Sequence, residues 1–262
     1  MTYADNVRKN EIEQDKGLSK MHALLDIVKK KKAVFITGTG TDIGKTYVTA
    51  LLAKYYKEQG IDVAYYKAAI SGADTIPESD AGYVKKIAGL EQPDDSMVSY
   101  LFSEAVSPHL AAKINHRPIE LRKVVADYQS VRDSHAFTVV EGSGGIVCPI
   151  RYDEDEKILL PDVVKALGLS VLVVADAGLG TIHNVVTTIA YIRSLGIEVD
   201  GILLNHYVVE YPIGLTDNSS RSDDADHLEV MMQEDNYRMI EELTGVSVVA
   251  TISPDGTELV LQ

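Results

Sequence analysis

The chain has 262 residues, 45% of them hydrophobic, and a formal net charge of −14. That length can bury one sizeable core or two small ones, while that charge repels a phosphate backbone, so nucleic acid is not expected as a partner. A single cysteine, Cys148, excludes an intramolecular disulfide framework, and no run approaches the ~20 apolar residues of a spanning helix, so a cytoplasmic protein without membrane contact is expected.

In chain order, the first thirty residues carry Ile12, Leu18, Met21, Leu24, Leu25 and Val28 at loose helical spacing, followed by a lysine run from Lys29 to Lys32. This predicts an appended amphipathic helix over residues 1–31, packed on the domain that follows over 32–262. Six apolar, β-branched runs come next: Val34 to Thr37, Val63 to Lys67, Phe137 to Glu141, Val171 to Asp176, Gly201 to Asn205 and Val246 to Ile252. Being apolar on both faces, they predict strands of a parallel sheet covered by helices on each side. Helical spacing fills several gaps: Gly44 to Gln59 before Gly60, a segment after Pro118, Pro161 to Leu167 before Gly168, and Asn184 to Leu195 before Gly196. Glycine just past a helix is the favoured C-terminal cap. Cys148 reads as a small buried hydrophobe after a strand, and Val208 to Asp226 as a polar loop. Alternating strands and helices give a βαβ architecture in which ligands bind beyond the carboxyl ends of the strands.

At that edge stands Gly38 to Thr46, "GTGTDIGKT". Strand, glycine turn and helix follow one another, as a phosphate-binding loop requires. Glycines let backbone N–H groups converge on phosphate oxygens, the helix adds its positive end, Lys45 adds a compact charge, and Thr46 offers a hydroxyl to magnesium. The usual spacing puts four residues between the first glycine and Gly-Lys-Thr, whereas five stand here.

The longer loop is shared with a subgroup carrying "GT-x-T-x-x-GKT", and the rest of the chain agrees with it. "YYKAAISG" (Tyr65 to Gly72), "SDA" (Ser79 to Ala81), "SPH" (Ser107 to His109), "VVEGSGG" (Val139 to Gly145), "VVADAGLGTIHN" (Val173 to Asn184) and "ILLNH" (Ile202 to His206) follow in order. In these motifs the chain resembles the dethiobiotin synthetase family over about Lys32 to Asn205, with a weaker match to Pro254. It departs from the family at Gly40, where Asp is common, and in the order Ile182-His183-Asn184.

The resemblance implies an α/β fold in a single domain, P-loop NTPase-like, with a predominantly parallel sheet between two helical layers. It implies an ATP-dependent cyclo-ligase of biotin synthesis that joins 7,8-diaminononanoate and CO2 through a carbamate and its phosphorylated form, as a homodimer with magnesium. Thr39, Gly40, Thr41, Asp42, Ile43, Gly44, Lys45, Thr46 and Tyr47, with Asn205 and Pro254 at the base, match the nucleotide positions. Thr46, Asp80 and Glu141 match the magnesium positions. Lys45, Lys67 and Thr41 are the expected catalytic residues. Ser71, Gly142, Gly144, Gly145, Gly180 and Thr181 are expected at the diamine and its acid tail. Two anions must meet for a carbamate oxygen to take a phosphoryl group, so lysines and a divalent cation must concentrate there. Lys67 and Glu141 each read as the last residue of a strand, and on that reading Lys67→Ala would affect turnover far more than stability. A ParA-like switching ATPase is the rival of another class, but such proteins usually carry a second loop lysine where Gly40 stands. A cobyrinate-type amidoligase is the nearer alternative.

Overall fold

A computed structural model describes residues 23–208, 222–255 and 258–261. Residues 23–30 form helix α1, and strand β1 (Ala33–Gly38) follows at once. The chain continues through α2 (Lys45–Glu58), β2 (Val63–Ser71), α3 (Asp80–Ala88), β3 (Val98–Phe102), α4 (Pro108–Ile114) and α5 (Leu121–Ser134). After β4 (Phe137–Gly145) come the short strands β5 (Pro149–Tyr152) and β6 (Lys157–Leu159), which pair only with each other. The remaining elements are α6 (Leu160–Leu167), β7 (Val171–Asp176), α7 (Thr181–Ser194), β8 (Val199–Asn205), α8 (Ser222–Thr244), β9 (Val248–Ile252) and β10 (Leu259–Leu261).

Eight strands form one sheet in the order β10-β9-β8-β7-β1-β4-β2-β3, parallel throughout except for β10 against β9. Both faces are dry. On one, Val34, Ile36, Tyr65, Val139 and Leu172 pack against Leu24 and Ile27 of α1, Val48 and Leu52 of α2 and Val84 of α3. On the other, Phe35, Tyr66, Val140 and Val173 meet α5 through Tyr128, α6 through Val164, α7 through Ile189 and α8 through Ile240. Residues alternate between these layers with the period of two that a strand imposes, so Tyr65, Lys67, Val139 and Glu141 all look toward α2 and α3. This is the α/β architecture expected, with helices on both faces.

Successive strands leave β1 in both directions: β4, β2 and β3 lie on one flank and β7, β8 and β9 on the other. Such a reversal opens a crevice at the carboxyl ends of the strands. Leu24 and Ile27 are buried and contribute about 2 kcal/mol each by burial, so the described part of α1 belongs to the core layer. Among the residues proposed for the N-terminal amphipathic helix, Ile12, Leu18 and Met21 lie outside the described residues, as do residues 209–221 of the expected loop.

Several boundaries differ from the sequence reading. The expected loop ends earlier, because α8 is helical from Ser222. Polar residues crowd its start, and its helical character is decided by Tyr237 and Ile240 packing on the core further along. Lys67 and Glu141 are not strand ends: β2 continues to Ser71 by pairing with β3, and β4 continues to Gly145 beside Gly38. Lys67↔Glu141 is instead the last matched pair between β2 and β4, beyond which the two strands take different neighbours. Strands β3, β5, β6 and β10 also escaped the sequence reading. No helix among the described residues is long and apolar enough to cross a membrane.

Candidate active site

The loop from Thr39 to Gly44 joins β1 to α2 and turns sharply at its end. Gly44 adopts φ +83°, and a side chain there would lie 2.3 Å from Asn205 Nδ2, so both conformation and space demand glycine. From Lys45 the helix begins with its first N–H groups turned toward a cleft of about 860 Å³ at the sheet edge. Lys45 is buried, and its Nζ donates to the Gly40 carbonyl at 2.9 Å, folding the loop back over its own lysine.

Opposite the loop lies a chain of charged contacts. Lys67 Nζ donates to Asp80 Oδ2 at 2.6 Å and to Glu141 Oε1 at 2.7 Å. Glu141 Oε1 also accepts from Thr46 Oγ1 at 2.8 Å, and Oε2 accepts from the Tyr65 hydroxyl at 3.0 Å. The Lys67 and Glu141 side chains are 7% and 0% exposed, which makes this a buried, cross-strand ion pair whose charges need each other. Asp80 reaches in from the first turn of α3, where a carboxylate also favours the helix dipole, and its side chain is 43% exposed. Burial opposes the charge on Lys67, but the Glu141 and Asp80 carboxylates outweigh it and hold the ammonium above the ordinary lysine range. Lys45 goes the other way: burial, with the Lys67 charge added, lowers it despite Glu141.

Thr41, Asp42, Gly44, Lys45, Thr46, Tyr47, Lys67, Ser71, Asp80, Glu141 and Gly144 all line this one cleft. Ser71 Oγ donates to the Val106 carbonyl at 2.6 Å, leaving its lone pairs free toward the cleft. Thr39, Gly40 and Ile43 belong to the loop's frame: Thr39 N extends the β1 ladder to Val174 O, and the Ile43 carbonyl accepts from Asn205 Nδ2 at 3.0 Å. Asn205, at the end of β8, is 1% exposed and keeps its Oδ1 without a partner among the described residues. Pro254 sits in an exposed turn after β9. Gly145 lies against the Gly38 and Gly40 backbone.

The other candidates lie elsewhere. The space a side chain would take at Gly142 is filled by Phe35 and Leu160, so packing on the far face of β4 accounts for that glycine. Gly180 and Thr181 head α7, outside the cleft lining, with Thr181 Oγ1 buried and without a partner among the described residues. Cys148 is not the fully buried hydrophobe expected: it is half-buried and lines the cleft beside Gly144, because the chain folds back toward β4 in a turn closed by Cys148 N to Gly145 O. Tyr65, Tyr83, Ser107 and Pro108 also reach the cleft or its network without having been singled out; Ser107 and Pro108 lay in one quoted motif, and Tyr65 opened the one containing Lys67.

A parallel sheet whose first strand runs through a glycine turn into a helix headed by Lys45-Thr46 defines a P-loop nucleotide-binding protein. A family model described as an AAA domain matches residues 32–257. The MinC:MinD cell division complex of Aquifex aeolicus is alike in fold alone, with a TM-score of 0.51 at 14% identity, covering 85% of this chain and 81% of that one. Relatives named ATP-dependent dethiobiotin synthetase BioD are more similar in sequence. The protein of Brachyspira hyodysenteriae is 45% identical over 221 residues, 84% of this chain and 91% of its own. That of Clostridium perfringens is 40% identical over 226 residues, 85% and 90% of the two chains. The chain belongs to the ATP-dependent dethiobiotin synthetase family.

Proposed function

We propose that the chain is an ATP-dependent cyclo-ligase making dethiobiotin from 7,8-diaminononanoate and CO2 in biotin synthesis. The observation that carries this is the convergence of Lys45, Lys67, Thr46, Asp80 and Glu141 in one cleft, in a member of this family. One amine of the diamine takes up CO2 as a carbamate, and a carbamate oxygen bonds to the γ-phosphorus as the bond to the β-phosphate oxygen breaks. The second amine then attacks the carbonyl carbon and phosphate leaves, closing the cyclic urea.

Each residue answers a charge that develops along this course. Lys67 lines the same cleft as the loop, so its ammonium serves the carbamate and the γ-phosphate together. Lys45 neutralises the β/γ-phosphates, and the N–H groups at the head of α2 bind their oxygens. Thr41 and Ser71 offer hydroxyls to the carbamate and an amine, and Gly144 leaves room for the diamine beside Cys148. Magnesium fits the donors: Thr46 Oγ1 and Glu141 are in contact, Asp80 joins them through Lys67, and hard oxygens in this number leave positions for phosphate and water. When bound, the ion supplies positive charge across the phosphate oxygens.

Asn205 suits the adenine, its amide N–H held by Ile43 and its Oδ1 free to accept from an amino group, with Pro254 beside the base. The head of α7, Gly180 and Thr181, suits the acid tail in a homodimer, and Leu179 beside it is 91% exposed. Gly142 and Gly145 shape the strand behind the substrate. We place the enzyme in the cytoplasm, in keeping with its single free cysteine.

ADP release should require magnesium and bicarbonate and should appear only when 7,8-diaminononanoate is added. Release at the same rate without the diamine would instead favour a switching ATPase, though Gly40 in place of a second loop lysine argues against one.

A further inference from the structure

Glu141 has two oxygens with different duties. Oε1 takes Thr46 and Lys67, the two groups on the cleft side, while Oε2 is turned inward to the Tyr65 hydroxyl. We propose that Tyr65 is a positioning residue for the nucleotide's divalent cation, pinning the inner oxygen of Glu141 so that the outer one is presented to the cleft. The inference rests on Thr46, Asp80 and Glu141 being the cation's donors.

Tyr65 is built for such a task. Its side chain is fully buried, its ring stands in the apolar layer beneath α2, and a phenol in that place needs a partner for its O–H. That partner is Glu141, whose Oε2 accepts from the Tyr65 hydroxyl at 3.0 Å.

Its backbone is held as firmly as its hydroxyl. β3 pairs with β2 only from Lys67 onward, so Tyr65 would have a bare edge. Gln92, itself 3% exposed, fills that gap: its Oε1 accepts from Tyr65 N at 2.8 Å and its Nε2 donates to Tyr65 O at 2.9 Å. One side chain thus replaces a missing strand at the residue that aims Glu141. A supporting hydrogen bond behind a metal-binding carboxylate typically changes metal affinity by 10–100-fold.

The test is a titration of Mn²⁺ into the full chain with saturating ADP, followed by the loss of the free-ion EPR signal, for wild type and Tyr65→Phe. Phenylalanine keeps the ring and removes only the hydroxyl. We expect the Mn²⁺ dissociation constant to rise about 10-fold. A purely structural role would lower thermal stability and leave the metal constant unchanged, and that result would overturn the proposal. If Tyr65→Phe does not fold, Gln92→Leu carries the same readout with the phenol present: a weaker metal constant supports the proposal and an unchanged one overturns it. The metal titration contains no diamine, so failure of the ligase reading would show separately, as diamine-independent ADP release.

Discussion

Two lysines stand at opposite ends of the same sheet, each held by two carboxylates, and they make a controlled comparison. Lys31 lies at the amino ends of β1, β7 and β8, where its Nζ meets Ser170 Oγ at 2.7 Å, Glu198 at 2.9 Å and Asp200 at 2.5 Å. Lys67 lies toward the carboxyl ends between Asp80 and Glu141. Lys31 completes a closed network, since Ser170 in turn donates to Asp200, and it ties the end of α1 to the start of β7 and β8. Of the partners of Lys67, Glu141 instead reaches Thr46 at the head of α2, beside a glycine loop and a cleft. The same triad of charges is a clasp where strands begin and, under the proposed function, a reaction site where they end, because only there do helix N-termini point at a ligand.

The largest effect that can break this comparison comes from Lys67→Ala. Turnover should fall by about 100-fold or more, since one charge is lost where charge develops. Its burial revises the expectation that stability would be spared: an uncompensated Glu141 should destabilise the chain by about 3 kcal/mol, read by urea unfolding. Adding Glu141→Gln should recover stability without recovering turnover. A double variant that regains turnover would remove Lys67 from the chemistry.

Next in size is a pH effect. Lys45 is lowered and Lys67 raised from the ordinary value of 10.5, so on the alkaline side Lys45 loses its proton first. The fall at high pH of kcat/KM for ATP, which follows the free enzyme, should therefore lie below 10.5. A fall at or above that value would mean that Lys45 is not the group whose charge limits capture of ATP.

The smallest effect belongs to Lys31→Met, which should leave ADP release unchanged and lower stability by about 1 kcal/mol. The folded value of Lys31 is raised: burial acts against its charge, but its hydrogen bonds to Asp200 and Glu198 prevail. Its contribution is thus fully present below 10.5, the unfolded value, and is lost as pH rises through the folded one. The gap in urea midpoint between variant and wild type should be constant below that pH and shrink above it. A drop in kcat for Lys31→Met would erase the distinction between the two ends.

What could be read without coordinates was local. The β1 run, the glycine turn and the α2 pattern adjoin one another, and a phosphate loop is recognised by such adjacency. Dry strands and glycine caps announced the α/β layers for the same reason. The start of α8 was hidden because Ser222, Asp223 and Asp224 look like loop, and only packing by Tyr237 and Ile240 reveals the helix. Tyr65 was hidden among apolar neighbours, since composition cannot show that its hydroxyl meets a carboxylate rather than a backbone carbonyl. Cys148 passed for core because a turn closing back on Gly145 is not written in its neighbours.

By itself, the order of residues determined that a strand, a glycine loop and a Lys-Thr helix start would form, which charges were available, and which family they resemble. These follow from torsional preferences and hydrophobic periods that act over a few residues. The tertiary structure decided that Lys67 and Glu141, 74 residues apart, stand opposite each other in register, that both are buried, and that Tyr65 aims one carboxylate oxygen outward. Register between distant strands is settled by the packing of both sheet faces at once, and no local segment contains that information.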